Sequence, residues 1–251
     1  MTSAKYHKYL LNFKVPSGTS RGILKTKETW FLTLEKNGKK GVGECGLFRG
    51  LSIDDRLDYE EKLQWVCQNI HLGLELLLLE TIQFPSIQIG LEQAFLSLAS
   101  TNTFHLFPSD FSSSKQGQLQ EMAILCDKTP LPIALDEELI GVFDVTNKQE
   151  LLQMIKPQYI ILKPSLVGGF TGSEKWIELA KNQNIGWWIT SALESNVGLN
   201  AIAQWTATLE SEMPQGLGTG SLFTNNFDSP LEVKNGYLHY NKNKSWNFNL
   251  I

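Results

Sequence analysis

Cysteine is scarce in this sequence: Cys45, Cys67 and Cys126 are widely separated, and no C-x-x-C pair occurs. That pattern excludes a disulfide framework or thiolate zinc site and implies reduced, structural thiols. Histidine is as thin. His7, His71, His105 and His239 each lie beyond helical or hairpin reach of another ligand, so a histidine-based metal centre is not expected. Basic runs are missing and net charge is -4, which argues against a nucleic-acid partner. Long apolar runs are missing too. The longest, residues 72–82, is interrupted by Glu75 and Glu80 and is too short to cross a bilayer. Residues 1–15 mix three lysines and a histidine with short apolar pieces, without the apolar stretch of a signal peptide, so a cytoplasmic location is expected.

What is present is a globular composition, 42% hydrophobic and 19% charged over 251 residues, enough for a real core. Residues 5–13, 22–34 and 41–45 are rich in aromatic and β-branched side chains and read as strands. Asn37-Gly38 between the second and third suits a two-residue hairpin turn. Asp54 reads as an N-cap opening a helix to about residue 70, and a second helix is expected over 87–99. These elements make an α+β unit over residues 1–108.

The polar, aperiodic stretch 109–117 is the internal junction. Beyond it, residues 118–251 alternate between helix and strand. Helices are expected over 119–126, 148–155, 173–182 and 196–209, and strands over 131–135, 159–162 and 186–190, before a Gly-rich segment at 216–220. Such alternation predicts βα units with parallel strands. A closed (β/α)8 barrel takes roughly 250 residues by itself. A complete barrel therefore cannot fit behind the junction.

Active groups of parallel α/β folds sit at the C-terminal ends of the strands. Asp136, with Glu137 and Glu138, follows the first; acids placed so could bind Mg²⁺ or simply open a solvated loop. Lys163 follows Tyr-Ile-Ile-Leu, where burial could lower its pKa, or where it could be an exposed strand-end lysine. Thr190-Ser191-Ala192-Leu193-Glu194-Ser195 is a strand-to-helix junction suited to a carboxylate or to plain helix capping. Gly216-Leu217-Gly218-Thr219-Gly220 lacks the spacing of a dinucleotide loop.

In this order, an acid, a lysine, Ser-x-x-Glu-Ser and a Gly-rich strand end resemble the second half of the enolase-superfamily barrel. Gly41-Val42-Gly43-Glu44-Cys45-Gly46-Leu47, Arg49-Gly50-Leu51-Ser52, Ile89-Gly90-Leu91-Glu92-Gln93-Ala94 and Pro132-Ile133-Ala134-Leu135-Asp136-Glu137-Glu138-Leu139-Ile140-Gly141 resemble its o-succinylbenzoate synthase branch. The resemblance implies an α/β architecture: an α+β capping domain followed by an incomplete enolase-type (β/α) barrel. It implies a Mg²⁺-dependent lyase of menaquinone biosynthesis. The family removes a proton next to a carboxylate, stabilises an enediolate on the metal and expels water. The substrate, succinyl-hydroxycyclohexadiene-carboxylate, becomes o-succinylbenzoate. Asp136 matches a Mg²⁺ ligand, and Lys163 the catalytic lysine opposite the base. Arg21 matches a capping loop, and Ser191, Ser195, Gly216, Gly218 and Thr219 match positions that hold the small-molecule carboxylate substrate.

This sequence departs from the family in one stretch. No Lys-x-Lys pair and no further strand-end acid lies between the capping domain and Asp136; Lys25-Thr26-Lys27 has the spelling but falls in the capping domain. The alternatives are therefore an inactive remnant, a half-barrel completed by another chain as a homo-oligomer, or a sibling activity such as N-acylamino-acid racemase or dipeptide epimerase.

Overall fold

The computed structural model describes residues 2–19, 22–100, 102–104, 106–107, 113–115, 132 and 134–249. Strands β1 (Ser3–Thr19), β2 (Gly22–Lys36) and β3 (Lys39–Cys45) form an antiparallel meander. Asn37 and Gly38 take φ of 53° and 78°, which closes the β2–β3 hairpin at the Lys36–Lys39 pair as expected for Asn-Gly. A register shift between Asn12 and Ser17 interrupts the pairing of the long β1 with β2, which resumes at the Ser17–Leu24 pair.

Helices α1 (Tyr59–Gln68), α2 (Leu74–Glu80) and α3 (Pro85–Ala99) cover one face of this sheet. Trp30, Leu32, Leu34, Leu63, Val66, Leu77, Ile87 and Leu91 fill the layer between. The first helix starts at Tyr59, four residues later than an N-cap at Asp54 predicts. Asp54 is a helix cap all the same, but of a different helix. Its Oδ2 accepts from the Ser86 backbone N–H at 2.9 Å and from the Ser86 hydroxyl at 2.6 Å, in the first turn of α3.

Helix α3 is apolar nearly all round because it lies between two cores. Ile87, Leu91 and Ala94 face the antiparallel sheet, and Ile89 joins the core of the second unit. It approaches β3 most closely at Gly43 and Gly90. A Cβ on Gly43 would sit 1.9 Å from the Gly90 carbonyl oxygen, and one on Gly90 would sit 2.3 Å from the Cys45 sulfur. The glycines of the two quoted motifs are thus one packing device.

The second unit is a parallel sheet of β5 (Ala134–Leu135), β6 (Tyr159–Leu162) and β7 (Gly186–Ile189), extended by a parallel bridge from Thr190 to Gly216. Helices α4 (Val145–Ile155), α5 (Pro164–Val167), α6 (Gly169–Asn182) and α7 (Asn196–Thr208) complete it. Burial alternates along β6 and β7: Ile160, Leu162, Trp187 and Ile189 are buried, while Tyr159, Ile161 and Trp188 are half-buried. A closed barrel core fills its interior with side chains on every strand. Among the described residues the parallel sheet is an open arc of three strands and one bridge, in keeping with the length argument. The helix expected over 119–126, with Cys126, lies outside the described residues.

Strands β4 (Ser113–Lys115), β8 (Leu231–Lys234) and β9 (Tyr237–Tyr240) form a third, antiparallel sheet that the sequence reading did not assign. The C-terminal segment then ties the units together. Phe223 bridges to Phe13, Lys14 N–H donates to the Leu222 carbonyl at 2.9 Å, and Asn225 accepts from Asn12 N–H at 2.8 Å. Among the described residues no helix is long and apolar enough to cross a membrane.

Candidate active site

The strand ends meet the N-terminal unit around a cavity of about 220 Å³, lined by Phe48, Leu51, Glu137, Lys163, Leu166 and Ala192 among others. Lys163 leaves β6 just before Pro164 opens α5, so its side chain projects from the C-terminal edge of the sheet. Asp136 leaves β5 at the same edge. The two meet in a bidentate ion pair, Lys163 Nζ to Asp136 Oδ1 at 2.7 Å and to Oδ2 at 2.6 Å. Both side chains are partly shielded, at 19% and 34% exposure, which gives the pair more weight than a surface salt bridge.

The loop after β7 carries the second cluster. The Ser191 hydroxyl donates to Glu194 Oε2 at 2.7 Å and accepts from the Leu193 N–H at 2.9 Å and the Thr219 hydroxyl at 2.7 Å. A hydroxyl has one hydrogen and two lone pairs, so protein groups use Ser191 in full. The other Glu194 oxygen accepts from the Ser165 hydroxyl at 2.6 Å. Leu193 is held at φ 58°, an uncommon conformation for a branched residue, and packs on the Leu11, Phe13 and Phe223 cluster.

Ser195 sits elsewhere in role. It is fully buried, its Oγ accepts from Val197 N–H as the N-cap of α7, and the same hydroxyl donates to Glu44 Oε2. Glu44 also accepts from Ser195 N–H and Gly198 N–H, each at 2.9 Å, and from the Thr29 hydroxyl at 3.0 Å. A carboxylate on the N-terminal sheet therefore caps a helix of the parallel unit. Glu92 repeats the arrangement on α6, accepting from Phe170 N–H at 2.6 Å and Thr171 N–H at 3.1 Å. Burial raises the Glu92 carboxyl above its ordinary value, against the Thr171 and Phe170 hydrogen bonds that lower it.

The structure thus brings Lys163 and Asp136 together, and joins Ser191 to Thr219 in a neighbouring cluster. Gly216 serves backbone pairing: its N–H donates to the Ile189 carbonyl and its carbonyl accepts from Ser191 N–H. Gly218 precedes a 3₁₀ turn over Thr219–Ser221. Arg21 lies outside the described residues, although its neighbours Gly22 and Ile23 line the cavity. Sequence reasoning missed Lys27, Phe48, Ser165 and the part played by Glu194. Glu194 lay in plain view within Ser-x-x-Glu-Ser; Lys27 lay in the Lys-x-Lys spelling of the wrong unit.

The donor set does not suit Mg²⁺. That ion wants about six oxygens in octahedral array, and Asp136 turns both of its oxygens onto Lys163. Among the described residues no three His, Cys, Asp or Glu side chains gather as metal ligands.

Comparison with known proteins defines the class first. The family model for the enolase C-terminal domain-like fold matches residues 113–244, more than half of the chain. The solved structure of a dipeptide epimerase from Enterococcus faecalis V583, complexed with Mg and a dipeptide, superposes with a TM-score of 0.76 at 12% identity, over 94% of this chain and 96% of that one. At that identity the likeness shows the fold alone. The narrower assignment comes from closer relatives. The o-succinylbenzoate synthase of Desulfotalea psychrophila is 32% identical over 93% of this chain and 97% of its own length. The crystal structure of MenC from the same organism superposes with a TM-score of 0.78 at 30% identity, over 95% of this chain and 99% of that one. The o-succinylbenzoate synthase of Vibrio cholerae is 36% identical over 41% of this chain and 30% of its own length. The chain belongs to the o-succinylbenzoate synthase family of the enolase superfamily, a family of lyases. The 359 aligned positions with the Desulfotalea enzyme exceed the 251 residues of this chain by more than a hundred, so that relative carries a long stretch without counterpart here.

Proposed function

We propose that this chain retains the ligand-holding part of an o-succinylbenzoate synthase site and binds the aromatic dicarboxylate of menaquinone biosynthesis without performing the dehydration alone. The carrying observation is the Lys163–Asp136 clamp at the edge of the cavity. Lys163 is a shielded cation whose counter-ion a ligand carboxylate could replace. Phe48 and Leu51 of the N-terminal unit, which line the same cavity, offer apolar surface for a ring.

A dehydration would also need a base to take the proton and a metal to stabilise the enediolate. The described residues gather no set of metal ligands beside the cavity, and Asp136 is committed to Lys163, so no step is routed through Mg²⁺ here. A second reading, a half-barrel completed by a second copy, is favoured by one observation: among the described residues β5 pairs only with β6. The epimerase likeness carries no substrate argument at its level of identity. A soluble, cytoplasmic setting fits the family's small-molecule chemistry.

Titration calorimetry with o-succinylbenzoate, beside a turnover assay on the cyclohexadiene with Mg²⁺, tests the reading. We expect binding that Lys163→Ala weakens roughly 10-fold or more, as loss of a charged hydrogen bond implies, and no turnover above that variant. Absence of binding would sink the proposal. Turnover abolished by chelator and by Lys163→Ala would show a complete synthase. If that turnover rose with the square of chain concentration, a second copy would be completing the site.

A further inference from the structure

Lys27, on β2, is only 4% exposed, and its ammonium has no hydrogen-bond partner among the described residues. It lies in the seam between the two units, where a Cβ built on Gly46 would meet Lys27 Nζ at 3.2 Å, Glu194 Cγ at 3.4 Å and the Ser165 hydroxyl at 3.6 Å. The Phe48 ring, which lines the cavity, stands over the ammonium, 5.7 Å from Nζ to the ring centre. Lys27 therefore contacts a residue of the cavity wall. Burial pushes its amine below the ordinary lysine range, while Glu194 and then Glu44 hold it up.

Glu194 and Glu44 are both fully buried. Neutral donors fill their oxygens, hydroxyls on Glu194 and hydroxyl and amide groups on Glu44. What those donors cannot supply is charge. Two carboxylates buried near one another tend to share a proton unless a cation faces them. With Glu194 ionised, the hydroxyl chain has one direction only: Thr219 donates to Ser191, and Ser191 donates to Glu194. With Glu194 protonated, it becomes a donor, and Ser165 or Ser191 must turn its hydroxyl away.

We propose that Lys27 is a positioning residue, whose buried charge keeps Glu194 an acceptor of two hydroxyl bonds and so fixes the 191–195 loop that forms the Ala192 wall of the cavity. The inference deepens the ligand-site reading above, but its main test needs no ligand.

Infrared difference spectroscopy would compare wild type, Lys27→Met, Lys27→Arg and the double variant Lys27→Met/Glu194→Gln. We expect a protonated-carboxyl stretch to appear in Lys27→Met and to be absent from wild type, from Lys27→Arg and from the double variant. No new band in Lys27→Met, or a band that survives in the double variant, overturns the assignment to Glu194. Should Lys27→Met fail to fold, refolding of the double variant supports the coupling, and failure of both reduces Lys27 to a structural residue. Where wild type binds o-succinylbenzoate, Lys27→Met should bind about 10-fold more weakly, with Lys27→Arg within about 3-fold of wild type. Failure of wild type to bind removes the ligand-site reading and leaves the infrared result to stand by itself.

Discussion

Asp54, Glu44 and Glu92 each take first-turn N–H groups of a helix that begins elsewhere in the chain. A helix start offers unpaired donors and a partial positive charge, and a short local cap normally answers both. Here α3 and α6 start without a local side-chain cap, at Phe84 and Gly168, and a remote carboxylate replaces it. The cost is desolvation, and Asp54 shows it most clearly. Its Oδ1 is buried with no hydrogen-bond partner among the described residues, and burial lifts the carboxyl to about 6 despite the Ser86 bonds. The folded chain therefore holds this proton more tightly than the unfolded chain, in which an aspartate titrates near 3.9. The contribution of Asp54 to stability is greatest below the unfolded value and falls as pH rises toward 6, by roughly 3 kcal/mol for a shift of about two units. Urea melts between pH 4 and 7 should show this fall, and Asp54→Asn should flatten it. A variant that tracks the wild-type slope would place the titration on another group.

At the scale of elements, the contact of α3 with β3 joins the two units, because the same helix caps α6 through Glu92 and packs Ile89 into the second core. Its closeness depends on Gly43 and Gly90. Gly43→Ala drives a methyl into a backbone carbonyl that the helix cannot move without leaving the sheet. A loss of about 3 kcal/mol or more is expected, at the upper end for overpacking. Gly50→Ala is the control. Gly50 has φ 73° but open space around it, so only backbone strain of about 1–2 kcal/mol applies. Equal losses in urea midpoints would remove the close-packing argument. The motifs holding these glycines were legible as family resemblance, yet their physical reason was not, since the two glycines lie 47 positions apart in sequence and meet only in space. Local patterns were read with mixed success. Asn37-Gly38 gave its hairpin, but the same Asn235-Gly236 signal, which turns β8 into β9, went unread. Helix α2, seven residues of Leu and Glu, is too short for its period to show against an apolar run. Asp136 and Lys163 were legible as strand ends, but their pairing was not, because only the parallel register sets them side by side.

For the whole molecule, three strands and one bridge form the described parallel sheet of a chain that aligns end to end with a much longer relative. The described residues form a seam: the antiparallel sheet, its three helices, the C-terminal segment that clasps β1, and the strand ends facing them. A seam of that kind can hold a ligand between two surfaces. Among the described residues no three acidic or other ligand side chains converge to hold a divalent ion, and Lys163 clamps both oxygens of Asp136. Ligand and metal should therefore separate in a thermal melt. Saturating o-succinylbenzoate, at about 100 times its Kd, adds roughly 2.7 kcal/mol and should raise Tm by about 5–10 °C for a chain of this size. Millimolar Mg²⁺ should leave Tm unchanged, and chelator should not reduce the shift that the dicarboxylate produces. A rise with Mg²⁺ alone would mean that ligands outside the described residues complete an octahedral site with Asp136, freeing Lys163. A ligand shift that appears only with Mg²⁺ would mean that the carboxylate reaches the site through the metal and not through the lysine.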